Sequence, residues 1–143
     1  MGQHADYDVQ RIEARESARA VLPLVMDAIG PASVVDVGCG IGAWLAVFHE
    51  LGVEDYLGLD GEWMLQEDLC IPPDRFKAFD VSRQLNLGRT FDLVMSLEVA
   101  EHIDPTRAET YIENLGRLGS AVLFSAAVPH QGGCGHVNEQ GPE

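Results

Sequence analysis

Three glycines crowd into five positions where an apolar, β-branched run meets the start of an amphipathic helix: Asp36-Val37-Gly38-Cys39-Gly40-Ile41-Gly42. Without a Cβ the backbone turns sharply there and comes close to whatever lies above it. The run SVVDV (Ser33–Val37) reads as a short buried strand. Residues 42–51 read as a helix with Trp44, Phe48 and Leu51 on one face and Gly52 as its stop. Trp44 fits the core better than a ligand contact. The free N–H groups and positive dipole end at that helix start suit an anion. A strand that turns through glycine into a helix is half of a βαβ unit. The expected class is therefore α/β, with a parallel sheet covered on both faces.

The rest of the chain repeats the alternation. Val9, Ile12, Ala18, Val21, Leu22, Val25 and Ile29 recur at helical spacing, so residues 8–29 are predicted helical, kinked or split at Pro23 and ended by Gly30-Pro31. Strands are predicted at 56–59, 76–79, 91–97 and 121–125. A helix opening at Asp104-Pro105, with Asp as cap, runs to about Leu118 and buries Tyr111, Ile112, Leu115 and Leu118. The 143 residues suit one domain (1–143): an N-terminal helical segment (8–30), an α/β core (31–126) and a Gly-rich loop and tail (127–143).

Charge narrows the function. Nine Lys and Arg against 23 Asp and Glu give a net charge of −14, the wrong sign for nucleic-acid phosphates or an anionic membrane. No apolar run is long enough to span a bilayer. The N-terminus has no signal-peptide pattern, and Asp6 breaks the myristoylation pattern after Gly2, so the cytoplasm is expected. Lys77 is the only lysine. No P-loop triplet exists, a Schiff-base lysine is ill placed, and the position four after Tyr111 is Leu115, which removes the Tyr-x-x-x-Lys hydride-transfer pair. Three cysteines, Cys39, Cys70 and Cys134, make no disulfide framework and suit a reducing compartment. His130-x3-Cys134-x-His136 lacks a standard zinc spacing, so no metal is expected.

What the glycine loop holds has two answers at this point. Asp36 at the strand tip is awkward beside a pyrophosphate and natural beside an ammonium group, so a ligand with an amino-acid end fits. Yet Gly38-x-Gly40-x-x-Ala43, followed by an acid at Asp60, also satisfies the relaxed dinucleotide fingerprint. Asp60, at the end of YLGLD, suits two ribose hydroxyls in either cofactor. Asp80 ends the next strand, where a carboxylate can accept from an adenine amino group.

VVDVGCGIGAWL, GLDG, FD and LEVAEHI, in this order and spacing over about residues 20–126, resemble the class I S-adenosylmethionine-dependent methyltransferases of small-molecule type. The resemblance implies a Rossmann-like, doubly wound parallel sheet in the order 3-2-1-4-5. The family's strands 6 and 7 have no room in this sequence, so a truncated or minimal chain is expected, with a homodimer or a partner over the fifth-strand edge. It also implies S-adenosylmethionine as cofactor: Asp36, Gly38 and Gly40 at its methionine portion, Asp60 and Gly61 at the ribose, Asp80 and Val81 at the adenine, and Leu97 and Glu98 on the other side. Methyl transfer to a small-molecule acceptor follows, with no nucleic-acid or membrane partner. His102 and Glu98 are the candidate catalytic residues, and Glu101, His130 and His136 are further candidate bases. His136, Asn138 and Glu139 are candidate acceptor contacts. A non-catalytic cofactor-binding module and an NAD-dependent oxidoreductase are the alternatives.

Overall fold

In a computed structural model that describes residues 2–141, every residue of β1 (Ser33–Val37) is buried. Met1, Pro142 and Glu143, within the ranges given above, lie outside the described residues. β1 takes the centre of a parallel sheet, between β2 (Asp55–Asp60) and β4 (Leu93–Leu97), with Val35 opposite Leu57 on one side and Val94 on the other. β3 (Phe76–Ala78) joins β2, and β5 (Val122–Ser125) joins β4, which gives the order β3-β2-β1-β4-β5. This is the expected α/β topology.

Alternation along the strands feeds two cores. Val34, Leu93 and Met95 face α1 (Gly2–Ala28) and α2 (Ala43–Glu50), where Leu22, Leu45 and Phe48 are fully buried. Val35, Val37 and Val94 face α3 (Ala108–Leu118), which contributes Tyr111, Leu115 and Leu118. At about 25 cal/mol per Å² of apolar surface removed from water, these two layers are the main force holding the strands parallel.

Three expectations change. α1 is not split: one helix continues through Pro23. The lost backbone donor costs about 3 kcal/mol, but Leu22 and Val25 beside it are buried against the sheet and hold the helix line. Only Ala18, Leu22 and Val25 of the helical-spaced set are buried; Val9 and Ile12 are exposed. Ile112 is also exposed, at 53%, because among the described residues no element covers the outer flank of α3 beside β5. Asp104 does cap, accepting from Thr106 N (2.8 Å) and Oγ1 (2.6 Å), but it opens a single 3-10 turn, Pro105–Arg107, before α3 begins.

Asn114, fully buried on α3, reaches over to the segment that follows β3. Its Oδ1 accepts from Leu85 N (2.9 Å) and its Nδ2 donates to the Arg83 carbonyl (2.7 Å). Asn114→Leu keeps the side chain's branched shape and strands both backbone groups, each at a cost of about 1–3 kcal/mol. The urea midpoint should fall with an unchanged m-value; an unchanged midpoint would show that residues 83–85 find water instead.

Candidate functional site

Parallel strands deliver their C-terminal ends to one edge, and here Gly38, Asp60, Asp80 and Glu98 arrive together. The glycine loop folds down onto the tip of β2: Gly38 N and Cys39 N both donate to the Leu59 carbonyl (2.8 and 3.0 Å). The Asp60 carboxylate then clamps it, with Oδ2 accepting from Gly40 N and Oδ1 from Gly61 N, both at 2.7 Å. Each oxygen keeps a second lone pair. Gly38 has φ +84°, and a Cβ there would lie 2.5 Å from Val99, so no other residue fits. Gly40, at φ +54°, faces open space, where a ligand can approach the backbone.

Two cavities meet at Gly40 and Glu98. One, of about 480 Å³, lies among Asp60, Trp63, Asp80, Val81, Glu98 and His102. The wider one, of about 780 Å³, runs under α1 past Gln10, Glu13 and Ser17 to Trp44 and Leu97. Glu98 itself sits at φ +54°, uncommon for a residue with a side chain and most often found at functional positions. Its amide donates to the Ser125 carbonyl (2.9 Å), so β5 holds it there. Trp63 had no sequence argument. Its ring lies where a Cβ on Gly61 would stand, and it is 72% exposed at the cavity's rim. An aromatic just downstream of a strand-end acid was the available signal.

The groove is negative. Asp60, Asp80, Glu98, Asp104 and Glu13 line it, with no Lys or Arg among the described lining residues. Asp36, at the end of β1, lies outside both cavities, buried beneath the loop. Burial first, and then the Asp60 charge, raise its pKa to about 7. The Cys39 thiol is pushed up by burial, then by Asp36 and Asp60, and is no nucleophile. Asp80 goes the other way: hydrogen bonds from Ser82 hold its carboxyl below the usual range.

The tail residues do not converge on the groove as expected. His136 Nδ1 pairs with Glu139 Oε1 at 2.8 Å, while Asn138 lines a different cavity, beside Ile112 and Phe124. The tail is nonetheless anchored, because Val137 N and Asn138 N both donate to the Glu101 carbonyl (2.8 and 3.0 Å). This brings His136 against His102, rings edge-on at 4.9 Å, and places its Nε2 4.0 Å from Glu101 Oε1. Glu101 is 1% exposed. The spacing His130, Cys134, His136 is not what the fold gathers; Glu101, His102 and His136 are. All three cysteines are free.

Residues 7–122 match the model of a family described as a methyltransferase domain. The mitochondrial ubiquinone biosynthesis O-methyltransferase of Dictyostelium discoideum is 26% identical over 65% of this chain and 34% of its own length. Among solved structures, Streptomyces venezuelae DesVI superposes with a TM-score of 0.70 at 21% identity, over 93% of this chain and 61% of that one. CalS10, a SAM-bound amino pentose methyltransferase from Micromonospora echinaspora, gives 0.65 at 20% identity, over 84% and 53%. The structures share the fold. This chain spans about a third of the curated relative's length and between half and two thirds of the two solved ones. No helix among the described residues is long and apolar enough to cross a membrane.

The burial of Asp36 makes a pH prediction. In the folded chain it keeps its proton up to about pH 7, whereas the unfolded chain releases it near 3.8, the ordinary value for an aspartate. The folded state binds more protons in that window, so this contribution to stability is full below the lower value and is lost as pH rises through the upper one. Relative to wild type, Asp36→Asn should gain stability progressively between about pH 4 and about pH 7. Parallel melting curves across that range would remove Asp36 as the source.

Proposed function

This chain belongs to the methyltransferase-domain family, and we propose that it transfers the methyl group of S-adenosylmethionine to a small-molecule acceptor. One observation carries the choice of cofactor: five carboxylates line the groove, with no Lys or Arg among the described lining residues. A sulfonium and an ammonium are drawn to that field. A dinucleotide's pyrophosphate is repelled by it, which disfavours the NAD reading that the loop pattern alone left open.

The groove divides accordingly. The remaining lone pairs of Asp60 meet the ribose hydroxyls where Gly61 lets the chain pass close. Asp80 accepts from the adenine amino group, with Val81 against the ring. The methionine portion crosses Gly38 and Gly40 above buried Asp36, and Leu97 and Glu98 close its other side. The wider cavity beneath α1 would hold the acceptor. There an acceptor lone pair forms the new bond to the methyl carbon as the C–S bond breaks, and its electrons return to sulfur. The acceptor's proton leaves to water or to a base. Alignment of acceptor and methyl is the main protein contribution, worth up to about 7–11 kcal/mol where it is good. Glu98, which lines both cavities, and His102, which lines the smaller one, are the candidate catalytic groups.

Two further readings belong with it. β5 has one strand neighbour among the described residues, and Val122 and Phe124 are exposed; a second copy or a partner chain over that edge would satisfy it. The free cysteines suit the reducing cytoplasm.

At a hundredfold excess over Kd, S-adenosylhomocysteine should raise stability by about 2.7 kcal/mol, and NAD should leave the melting temperature unchanged. The reverse result overturns the assignment. Asp60→Ala should lose both cofactor affinity and stability, since its charge-assisted bonds are worth about 1.5–3 kcal/mol each. Asp80→Ala, whose carboxylate bonds only within its own turn, should lose affinity while keeping its melting temperature. Binding without methyl transfer to any acceptor in a metabolite panel would leave a cofactor-binding module.

A further inference from the structure

We propose that Glu101, His102 and His136 form a binding site for a divalent first-row transition-metal ion at the wall of the groove. One ligand atom from each lies within 4.8 Å of one from each of the others. The group is more than a coincidence of polar residues, because Glu101 is 1% exposed and neither carboxylate oxygen has a hydrogen-bond partner. A buried, unsatisfied carboxylate is costly. A cation bound to it removes that cost.

The two histidines are oriented as ligands. His102 Nδ1 lies 3.0 Å from the Gly135 carbonyl, which can only accept, so Nδ1 carries the proton and Nε2 keeps its lone pair. His136 Nδ1 lies 2.8 Å from Glu139 Oε1, a carboxylate oxygen that accepts, so this Nδ1 also donates. The free Nε2 of His136 is the atom 4.0 Å from Glu101 Oε1. A histidine that donates through one ring nitrogen and presents the other is the arrangement that supports metal ligation.

The loop is shaped for this contact. Gly133 has φ +155°, and a Cβ there would run into the His136 ring; Gly135 has φ +74° and turns its carbonyl to His102. Two histidines and one carboxylate suit Zn²⁺, Mn²⁺ or Fe²⁺, and a three-ligand protein set leaves positions open. His102 lines the smaller cavity beside Glu98, and Glu98 lines both cavities, so an open position stands next to the junction of the two.

The functional consequence rests on the methyl-transfer reading. An acceptor hydroxyl bound to the ion becomes more acidic and gives its proton to water. The resulting oxygen takes the methyl carbon as the C–S bond breaks and its electron pair returns to sulfur. His102 then serves as a ligand and not as a base. Acceptors with a hydroxyl able to reach the ion are the favoured class.

The site is tested without cofactor. Chelator-treated, desalted full-length chain is titrated calorimetrically with Zn²⁺ and, separately, with Mn²⁺. Saturable binding of one ion per chain is expected. Glu101→Gln and His102→Ala should each lose at least tenfold in affinity, and Glu139→Gln about 10–100-fold through loss of orientation. The variants of exposed His102 and partly exposed Glu139 guard against a misfolded core, and circular dichroism checks all three. Visible absorption after Co²⁺ substitution should report nitrogen and oxygen ligation and be lost in His102→Ala. No saturable binding of either ion, or wild-type affinity in Glu101→Gln, overturns the proposal. S-Adenosylhomocysteine is titrated into the same samples: if it binds and neither ion does, the metal site falls and the methyltransferase reading stands. If an ion binds and it does not, the metal site stands alone.

Discussion

The Asp60 carboxylate is the fastening on which the site depends. One oxygen takes the Gly40 amide and the other the Gly61 amide, so a single side chain ties the loop after β1 to the turn after β2. Without it, three left-handed glycines would have little to define their path, since glycine loses more conformational freedom on ordering than any other residue. The sheet does the coarse work: Val35 against Leu57 and Val94 brings the two strand tips level. The carboxylate does the fine work, and the proposed ribose contact falls to the lone pairs it has left.

That fastening has an electrostatic cost. Asp60 is one reason the Asp36 carboxyl is raised to about 7, with burial the larger cause. Two acids near each other beneath a loop with no nearby Lys or Arg weaken the unliganded protein as pH rises. The same field favours a cationic ligand. Stability given up in the empty state is recoverable on binding, which is how a charged site can select its ligand without a dedicated counter-ion. Glu98 adds backbone strain of about 1–3 kcal/mol at φ +54°, held in place by the Ser125 carbonyl. Both departures from the stable choice sit at the groove, where the rest of the fold can offset them.

Much of the cofactor half was legible in sequence because it is local. A strand, its end acid and the turn after it occupy adjacent positions, so SVVDV, YLGLD and the glycine loop announce both the element and its tip. The five strands followed from these signals, and their order from the resemblance to the class I methyltransferases. Pro23 misled because helix propensity is a local penalty and the packing of Leu22 and Val25 is a tertiary gain. Ile112 misled for the opposite reason: its spacing marks an apolar position, but burial needs a neighbour, and none covers it among the described residues. The contact between Gly38 and Val99 was equally invisible, since it joins two strand tips far apart in the chain.

The tail was poorly legible for a deeper reason. It has no periodic pattern to read. It is fixed by the Glu101 carbonyl accepting from Val137 and Asn138, by the Gly135 carbonyl meeting His102, and by Glu139 meeting His136. These bonds join residues well separated in sequence and use backbone groups that carry no residue-type signature. The groove's tips are strand ends that the core holds rigidly, whereas the tail is a loop held by a handful of hydrogen bonds. Substitutions in residues 129–141 can therefore rearrange the tail without disturbing the sheet. Substitutions at β1, β2 or β4 cannot change the tips without changing the core.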